Sequence, residues 1–380
     1  MSKKIVYIVG DLHYANGMSR VLSQKINWLA RNTDYEIYMV LTEKADKPFW
    51  FPIDKSVKYV NFDINFEEIH SLPIHKKVFL YQKKQRQYKR ELTQYLITLR
   101  PDITISTLRR DINFICDIED GSIKIGEIHF SKKNYREFNK RFLPAFINRA
   151  ITNVWRRQLY KQIKRLKQFV VLTNEDAKEW YKEFSNITVI NNPINNYPAQ
   201  TSRCDRKKVI AVGRYTWQKG FDMLIEAWKQ VDAKHPDWEL HIYGPGDNDS
   251  YQKLAGHGVY CHEVVNDIYP QYMESSILAF PSRYEGFGLV LAEGMSCGLP
   301  AVSFDCPCGP KDIITNDGIL VELNDIDSFA NGICKLIEDK DMRKEMGMNA
   351  YENMKRYSEE SIMQRWVSLF EQVMKNGNEG

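Results

Sequence analysis

The chain alternates short, wholly apolar runs with longer amphipathic ones. Ile5-Val6-Tyr7-Ile8-Val9, Val209-Ile210-Ala211-Val212 and Ile277-Leu278-Ala279-Phe280 leave no polar side to face water, as expected of parallel strands covered on both faces. Further strands are predicted at Tyr35 to Leu41, Val57 to Phe62, Asp102 to Thr107, Ile123 to Ile128, Gln168 to Thr173, Ile187 to Ile190, Leu240 to Tyr243 and Tyr260 to Val264. Helical stretches separate them, among them Leu72 to Leu99, Phe221 to Val231, Leu289 to Cys297 and Ser358 to Met374. This alternation predicts doubly wound α/β units. A chain of 380 residues is long for one core, so two domains are expected, joined in the polar stretch near 195–206 that contains Pro198.

Composition narrows the class. Apolar residues make up 43% and charged residues 27%, as in ordinary soluble proteins. There is no apolar run of about 18 residues, and Met1-Ser2-Lys3-Lys4 leads directly into a strand, so neither a membrane span nor a secretory signal is expected and the location expected is the cytoplasm. The seven cysteines lie at 116, 204, 261, 297, 306, 308 and 334 without zinc spacing, which favours buried free thiols over a metal site, Cys306-Pro307-Cys308 included.

The net charge of +4 conceals a polarity. Residues 1–200 hold 34 Lys+Arg against 21 Asp+Glu, whereas residues 201–380 hold 19 against 28. A basic half suggests an anionic surface as partner. Two stretches carry the charge. One holds Lys76, Lys77, Lys83, Lys84, Arg86, Lys89 and Arg90 among Val78, Phe79 and Tyr81; the other runs from Lys132 to Lys167 and mixes twelve basic residues with Phe138, Phe142, Phe146 and Trp155. Basic residues mixed with aromatics suit an anionic membrane surface. Nucleic acid would attract the same charge, but no nucleic-acid module is recognisable, and a solvated helix face is the third reading.

Chemistry concentrates in Pro281-Ser282-Arg283-Tyr284-Glu285-Gly286-Phe287-Gly288-Leu289, where a strand passes through a glycine turn into a helix. Gly286 and Gly288 let a ligand approach the backbone, and the first N–H groups of the helix suit an anionic oxygen. Glu285 and Glu293 can accept hydrogen bonds from sugar hydroxyls beside such an anion; a helix-terminus charge and a solvated Glu are the plainer reading. Gly213-Arg214 and Lys219-Gly220 follow another strand, where two cations suit a diphosphate, or simply decorate the surface. Asp247-Asn248-Asp249 has the form of a metal-binding D-x-D but sits in a polar loop, and metal is not expected there.

Glu-x7-Glu in the form EGFGLVLAE, followed by Gly298-Leu299-Pro300-Ala301-Val302, resembles the signature of the retaining, nucleotide-sugar-dependent glycosyltransferases of family 4, with the GT-B fold, of the bacterial polysaccharide and glycan-assembly type. Gly-Arg…Lys-Gly at 213–220 resembles that family's second signature. The resemblance implies two Rossmann-like domains facing across a cleft: an acceptor-binding domain over 1–196, a nucleotide-sugar domain over 197–357, and a terminal helix, 358–380, packing back on the first. It implies that Arg214 and Lys219 bind the donor phosphates, Glu285 the donor sugar and Glu293 the ribose. Gly213, Gly286, Phe287, Gly288 and Leu289 would line the donor site, with Glu263 and Val264 at the nucleobase. His129, at the end of the Glu127-Ile128-His129-Phe130 stretch, would assist reaction at the transferred sugar. Gly17 would stand at the first domain's ligand loop, where Asn16-Gly17 replaces the usual Gly-Gly, and Asn195 replaces the usual Asp of the Asn-Pro-hydrophobic-Asp segment.

The implied activity is retaining transfer of a hexose from UDP-hexose or UDP-N-acetylhexosamine to a saccharide or lipid-linked saccharide, without a metal or other cofactor, at the inner face of the cytoplasmic membrane. A non-catalytic nucleotide-sugar-binding subunit and a nucleic-acid-binding protein are the alternatives.

Overall fold

Each apolar run becomes a strand. In this computed structural model, which describes residues 2–14, 16–134, 145–195 and 197–376, the chain divides into two units. The first comprises Met1–Leu172, Ala177–Ile190 and Met363–Gly380, and the second Thr173–Asp176 and Asn191–Ile362. The sequence places the joint at 196, whereas the contacts divide the chain between Ile190 and Asn191, because Asn191 to Ile194 are buried and belong to the second unit.

In chain order the first unit contains β1 (Lys4–Gly10), α1 (Gly17–Asn32), β2 (Glu36–Leu41), β3 (Lys58–Asn61), α2 (Ile74–Leu99), β4 (Ile103–Ser106), β5 (Ile123–Glu127), α3 (Ala145–Ile163), β6 (Gln168–Val171), α4 (Asn174–Trp180) and β7 (Ile187–Val189), with α4's first residues counted in the second unit. Its seven strands are all parallel, in the order β3-β2-β1-β4-β5-β6-β7. The order reverses between β1 and β4, the place where such sheets open a crevice at their carboxyl edge.

The second unit repeats the plan with β8 (Lys208–Val212), α5 (Phe221–Lys234), β9 (Glu239–Tyr243), α6 (Asn248–Leu254), β10 (Val259–His262), α7 (Tyr269–Met273), β11 (Ile277–Phe280), α8 (Leu289–Ser296), β12 (Ala301–Phe304), α9 (Pro310–Ile313), β13 (Gly318–Val321), α10 (Ile326–Glu338) and α11 (Lys340–Met354). The parallel order is β10-β9-β8-β11-β12-β13, so the crossover point lies between β8 and β11. α12 (Glu359–Lys375) closes the chain, and from Met363 onward it belongs to the first unit.

Periodicity sets the cores. Leu224, Trp228 and Val231 on α5 and Phe329, Ile333 and Leu336 on α10 form apolar stripes in one buried cluster with Val209, Ala211 and Ile242 of the sheet. Each fully buried aliphatic side chain contributes about 2 kcal/mol, and Trp228→Ala would cost about 3–5 kcal/mol. Tyr88, Leu92 and Leu96 of α2 do the same for the first unit.

Two local readings change, and one strand is new. Asp247 is no loop carboxylate: it caps α6, accepting from the Ser250 N–H at 3.1 Å. β10 stops at His262, short of Val264, and α7 begins only at Tyr269, after Asp267 has accepted that residue's N–H at 3.1 Å. β13, a half-buried four-residue edge strand opening on glycine, has too little pattern to be foreseen.

Candidate active site

The two loops expected to carry the chemistry follow β8 and β11, which are hydrogen-bonded neighbours at the second unit's crossover point. Adjacency in the sheet, not in sequence, unites them. The Gln218 amide N–H donates to the Tyr284 carbonyl at 2.9 Å, and the Arg283 N–H to the Gln218 carbonyl at 2.8 Å. Arg283 also forks onto Asp222 at 2.8 and 2.6 Å, tying the second loop to the start of α5.

Lys219 ends a single turn of 3-10 helix, Trp217–Lys219, and its side chain lies back across Gly213. A Cβ at Gly213 would come within 3.1 Å of Lys219 Cδ and Cε, so glycine there lets the stem pass. The ammonium then meets Glu285: Lys219 Nζ lies 2.6 Å from Glu285 Oε1, with both side chains about nine-tenths buried. The Ser282 hydroxyl donates to the same oxygen at 2.7 Å, and the Glu285 N–H donates to the Pro307 carbonyl at 3.1 Å. Cys306 is buried nearby; burial first, then the Glu285 charge, pushes its thiol well above its usual range. It is no nucleophile.

Gly286-Phe287-Gly288 turns the chain into α8. Gly288, the residue preceding the helix, has φ +98°, a conformation for glycine, and no side chain caps the helix there, so its leading N–H groups offer an anion site. Phe287 is buried with its ring edge-on to Tyr357 at 5.3 Å, and Leu289 starts the helix. Glu293, a turn further on, is buried and adds its charge to the burial that pushes the Cys297 thiol up to about 12.

Other expected donor residues stand apart from the ion pair. Arg214 is exposed, and among the described residues its guanidinium has no hydrogen-bond or ion-pair partner. In the same loop the Thr216 hydroxyl oxygen is buried without a hydrogen-bond partner among the described residues. Glu263 and Val264 are exposed just past β10, two strands from β8, and no recorded contact joins them to Lys219 or Glu285 among the described residues. Ser282, Gln218 and Thr216 escape the sequence reading, although Ser282 lies inside the quoted stretch.

Gly17 and His129 belong to the first unit. Gly17 is exposed at the start of α1, where the Asn16 side chain accepts the Ser19 N–H at 2.9 Å. His129 lies two residues beyond β5, at the carboxyl edge, but its imidazole turns inward with its side chain 4% exposed and Nε2 3.3 Å from Glu127 Oε1.

Of the basic stretches, residues 135–144, with Phe138 and Phe142, lie outside the described residues. On α2, Val78 and Phe79 are exposed, but Lys84 is held by Glu68 at 2.9 Å and Lys89 by Asp117 at 3.5 Å. Phe146, Val154 and Trp155 of α3 are exposed. Among the described residues no helix is long and apolar enough to cross a membrane.

Residues 206–339 match the family model described as glycosyl transferases group 1. An uncharacterized glycosyltransferase of Haemophilus influenzae is 28% identical over 97% of this chain and 99% of its own length. The amylovoran biosynthesis glycosyltransferase AmsD of Erwinia amylovora is 32% identical over 53% of this chain, and the match spans 61% of that protein. Among solved structures, TarM aligns with TM-score 0.74 at 18% identity over 97% of this chain and 99% of its own. HepE of Anabaena, solved with UDP and glucose, aligns with TM-score 0.69 at 16% identity over 97% and 99%. The two parallel-sheet units thus have the GT-B fold, and the stretch that matches the group 1 glycosyltransferase model lies in the second.

Proposed function

We propose that this chain is a retaining hexosyltransferase of family 4 that takes a hexose from UDP-hexose or UDP-N-acetylhexosamine and passes it to a saccharide or lipid-linked saccharide in bacterial surface glycan assembly. The observation that carries this is the Lys219–Glu285 contact of 2.6 Å, which joins two separate sequence motifs at the crossover of the second sheet. Kinship with glycosyltransferases over 206–339 and over nearly the whole Haemophilus protein supports the class. The UDP and glucose of the HepE structure support the choice of donor.

The chemistry follows from charge. As the glycosyl bond breaks, negative charge grows on the departing diphosphate, and fixed cations aimed at it lower the barrier. Lys219 is held by Glu285 and by its path over Gly213, so it needs little reorganisation; Arg214 is solvated and closes on the phosphates as they arrive. The uncapped start of α8 adds N–H dipoles, and the Thr216 hydroxyl gains the partner it lacks. Glu285, half-neutralised by Lys219, keeps acceptor capacity for a sugar hydroxyl, and Glu293 serves the ribose. His129 is assigned to assist at the reacting sugar. With two cations on the phosphates, the reaction proceeds without a metal.

Exposed Val78 and Phe79 on basic α2, with Phe146 and Trp155 on α3, support peripheral contact with the inner face of an anionic membrane. A donor screen reading UDP release, with and without lipid-linked acceptors and with EDTA in parallel, tests the reading. UDP-sugar turnover that survives EDTA is expected; activity lost to EDTA and restored by Mg²⁺ would contradict the two-cation assignment.

A further inference from the structure

The second sheet carries a row of rings that the donor chemistry does not use. Leu240 and Ile242 of β9 and Val259 of β10 point into the buried cluster with α5 and α10, so the alternation of a strand turns Glu239, His241, Tyr243, Tyr260 and His262 to the other face. His241 pairs with Tyr260 and Tyr243 with His262 in the register, which makes the two histidines diagonal neighbours. His241 Nδ1 lies 2.9 Å from His262 Nε2. Their planes differ by 8° and their centroids are 5.1 Å apart, so with nitrogens this close the rings meet edge to edge along a hydrogen bond rather than face to face. Tyr243 does lie face-on to His262, at 4.3 Å and 12°.

Donors and acceptors then fall into one order. His241 Nε2 is 3.0 Å from Glu239 Oε2; the carboxylate accepts, so this nitrogen carries a proton, and in a neutral His241 Nδ1 is left to accept. His262 Nε2–H therefore donates to it. A proton added to the pair can settle on His262 Nδ1 without breaking this bond. A second proton has only His241 Nδ1 left, and two N–H groups would then face each other across 2.9 Å. The surroundings lean the same way. Burial, opposed by Glu239 and reinforced by Lys208 of β8, holds His241 below its usual range; burial, then the charges of His241 and Lys208, does so for His262. Lys208 Nζ lies 3.5 Å from the Tyr243 hydroxyl, and Glu274, which ends α7, acts on Lys208 and Tyr243.

We propose that the His241–His262 pair is an acid-released clasp on β10: it stays closed while either imidazole is neutral and opens when both are protonated, freeing the carboxyl end of that strand. β10 is four residues long and ends the sheet, so a side-chain bond to β9 weighs more there than on an inner strand. Gln252 of α6 supports its first part, accepting from the Cys261 N–H at 2.8 Å and donating to the Val259 carbonyl at 3.1 Å. The Tyr215 hydroxyl lies 2.8 Å from the Ile242 carbonyl and 3.0 Å from that of His262, so the end of β10 is tied to the loop that carries Arg214. A histidine held below 6.5 in the closed strand binds fewer protons there than in the open one, so closure is fully favoured above about pH 6.5 and is lost as pH falls below it. The clasp needs no ligand, and it stands apart from the transferase reading.

Amide hydrogen exchange on the full-length protein, corrected for the intrinsic pH dependence of exchange and followed from about pH 7.5 to about pH 4.5, tests the clasp. In the wild type, protection over residues 260–264 should fall about tenfold or more across this range, the scale of one lost hydrogen bond, while β1 stays level. His262→Gln should keep its protection throughout, because a side-chain amide donates to a neutral His241 and, turned over, accepts from a protonated one. His241→Leu should lack the protection at neutral pH already and lose no more in acid. Should that variant fold poorly, ¹⁵N-labelled histidine in the wild type gives a second reading: Nε2 of both rings should carry the proton at neutral pH. Wild-type protection that is equal at both ends of the range, a loss shared by β1, an acid loss in His262→Gln as large as the wild type's, or a proton on His241 Nδ1 at neutral pH would overturn the clasp.

Discussion

The second unit gathers its polar groups from two loops that follow neighbouring strands: Arg214 is exposed and α8 has no side-chain cap, while Lys219 is paired with Glu285. The first unit collects Lys25, Glu127, His129 and Trp366 from α1, β5, the loop beyond it and α12, and it spends their charges on one another inside the protein. Both centres occur in parallel sheets of the same plan, so the sheet does not dictate the use. The difference lies in exposure: Arg214 is open to an arriving anion and Lys219 keeps 12% of its side chain exposed, whereas Lys25 and Glu127 are 1% exposed.

That contrast can be broken experimentally. The largest effect expected is from Lys219→Ala, which should lower turnover by about 10²-fold or more in a UDP-release assay; an unchanged rate would remove Lys219 from the site. Arg214→Ala should cost about tenfold in kcat/KM, less because its guanidinium is solvated and no neighbour holds it before the ligand binds. Val78→Ser/Phe79→Ser should weaken sedimentation with anionic vesicles several-fold, while turnover on a water-soluble acceptor stays level. Equal retention of both proteins would take α2 out of any membrane surface.

The smallest effect at neutral pH belongs to the buried pair. Lys25→Met/Glu127→Gln should unfold within about 2 kcal/mol of the wild type at pH 7, yet differ from it in acid. The Glu127 carboxyl titrates at about 2 in the folded protein against an ordinary 4.5. Its stabilising contribution is therefore complete above pH 4.5 and drains as pH falls toward 2. The double variant should lack that share of the acid slope in urea titrations; identical slopes would mean that Glu127 is not held down.

The legible part of the molecule is the part where neighbours in space are also neighbours in sequence. Apolar runs without a polar side announce the parallel strands, and the glycines beside Arg214, Lys219 and Glu285 mark where backbone must come close to something. Asp247 misleads because a capping carboxylate and a loop carboxylate look alike until the Ser250 N–H is seen. β13 escapes because four half-buried residues carry no period. Lys25 lies in α1 between Leu22 and Leu29, where helical spacing marks a core position, but nothing in α1 shows that its counter-ion stands 102 residues away. His129 is legible as a residue of the sheet's carboxyl edge, while its inward turn toward Glu127 is set by packing that a lone histidine at a strand end does not reveal.

Titration calorimetry with UDP and with uridine, in the presence of EDTA, on the wild type and Lys219→Ala, bears most directly on the claim that fixed cations of the second unit grip a diphosphate. Lys219→Ala is expected to weaken UDP binding about tenfold or more while uridine binds both proteins equally. UDP binding that is untouched by the substitution, or that vanishes from the wild type when EDTA is added, would contradict it.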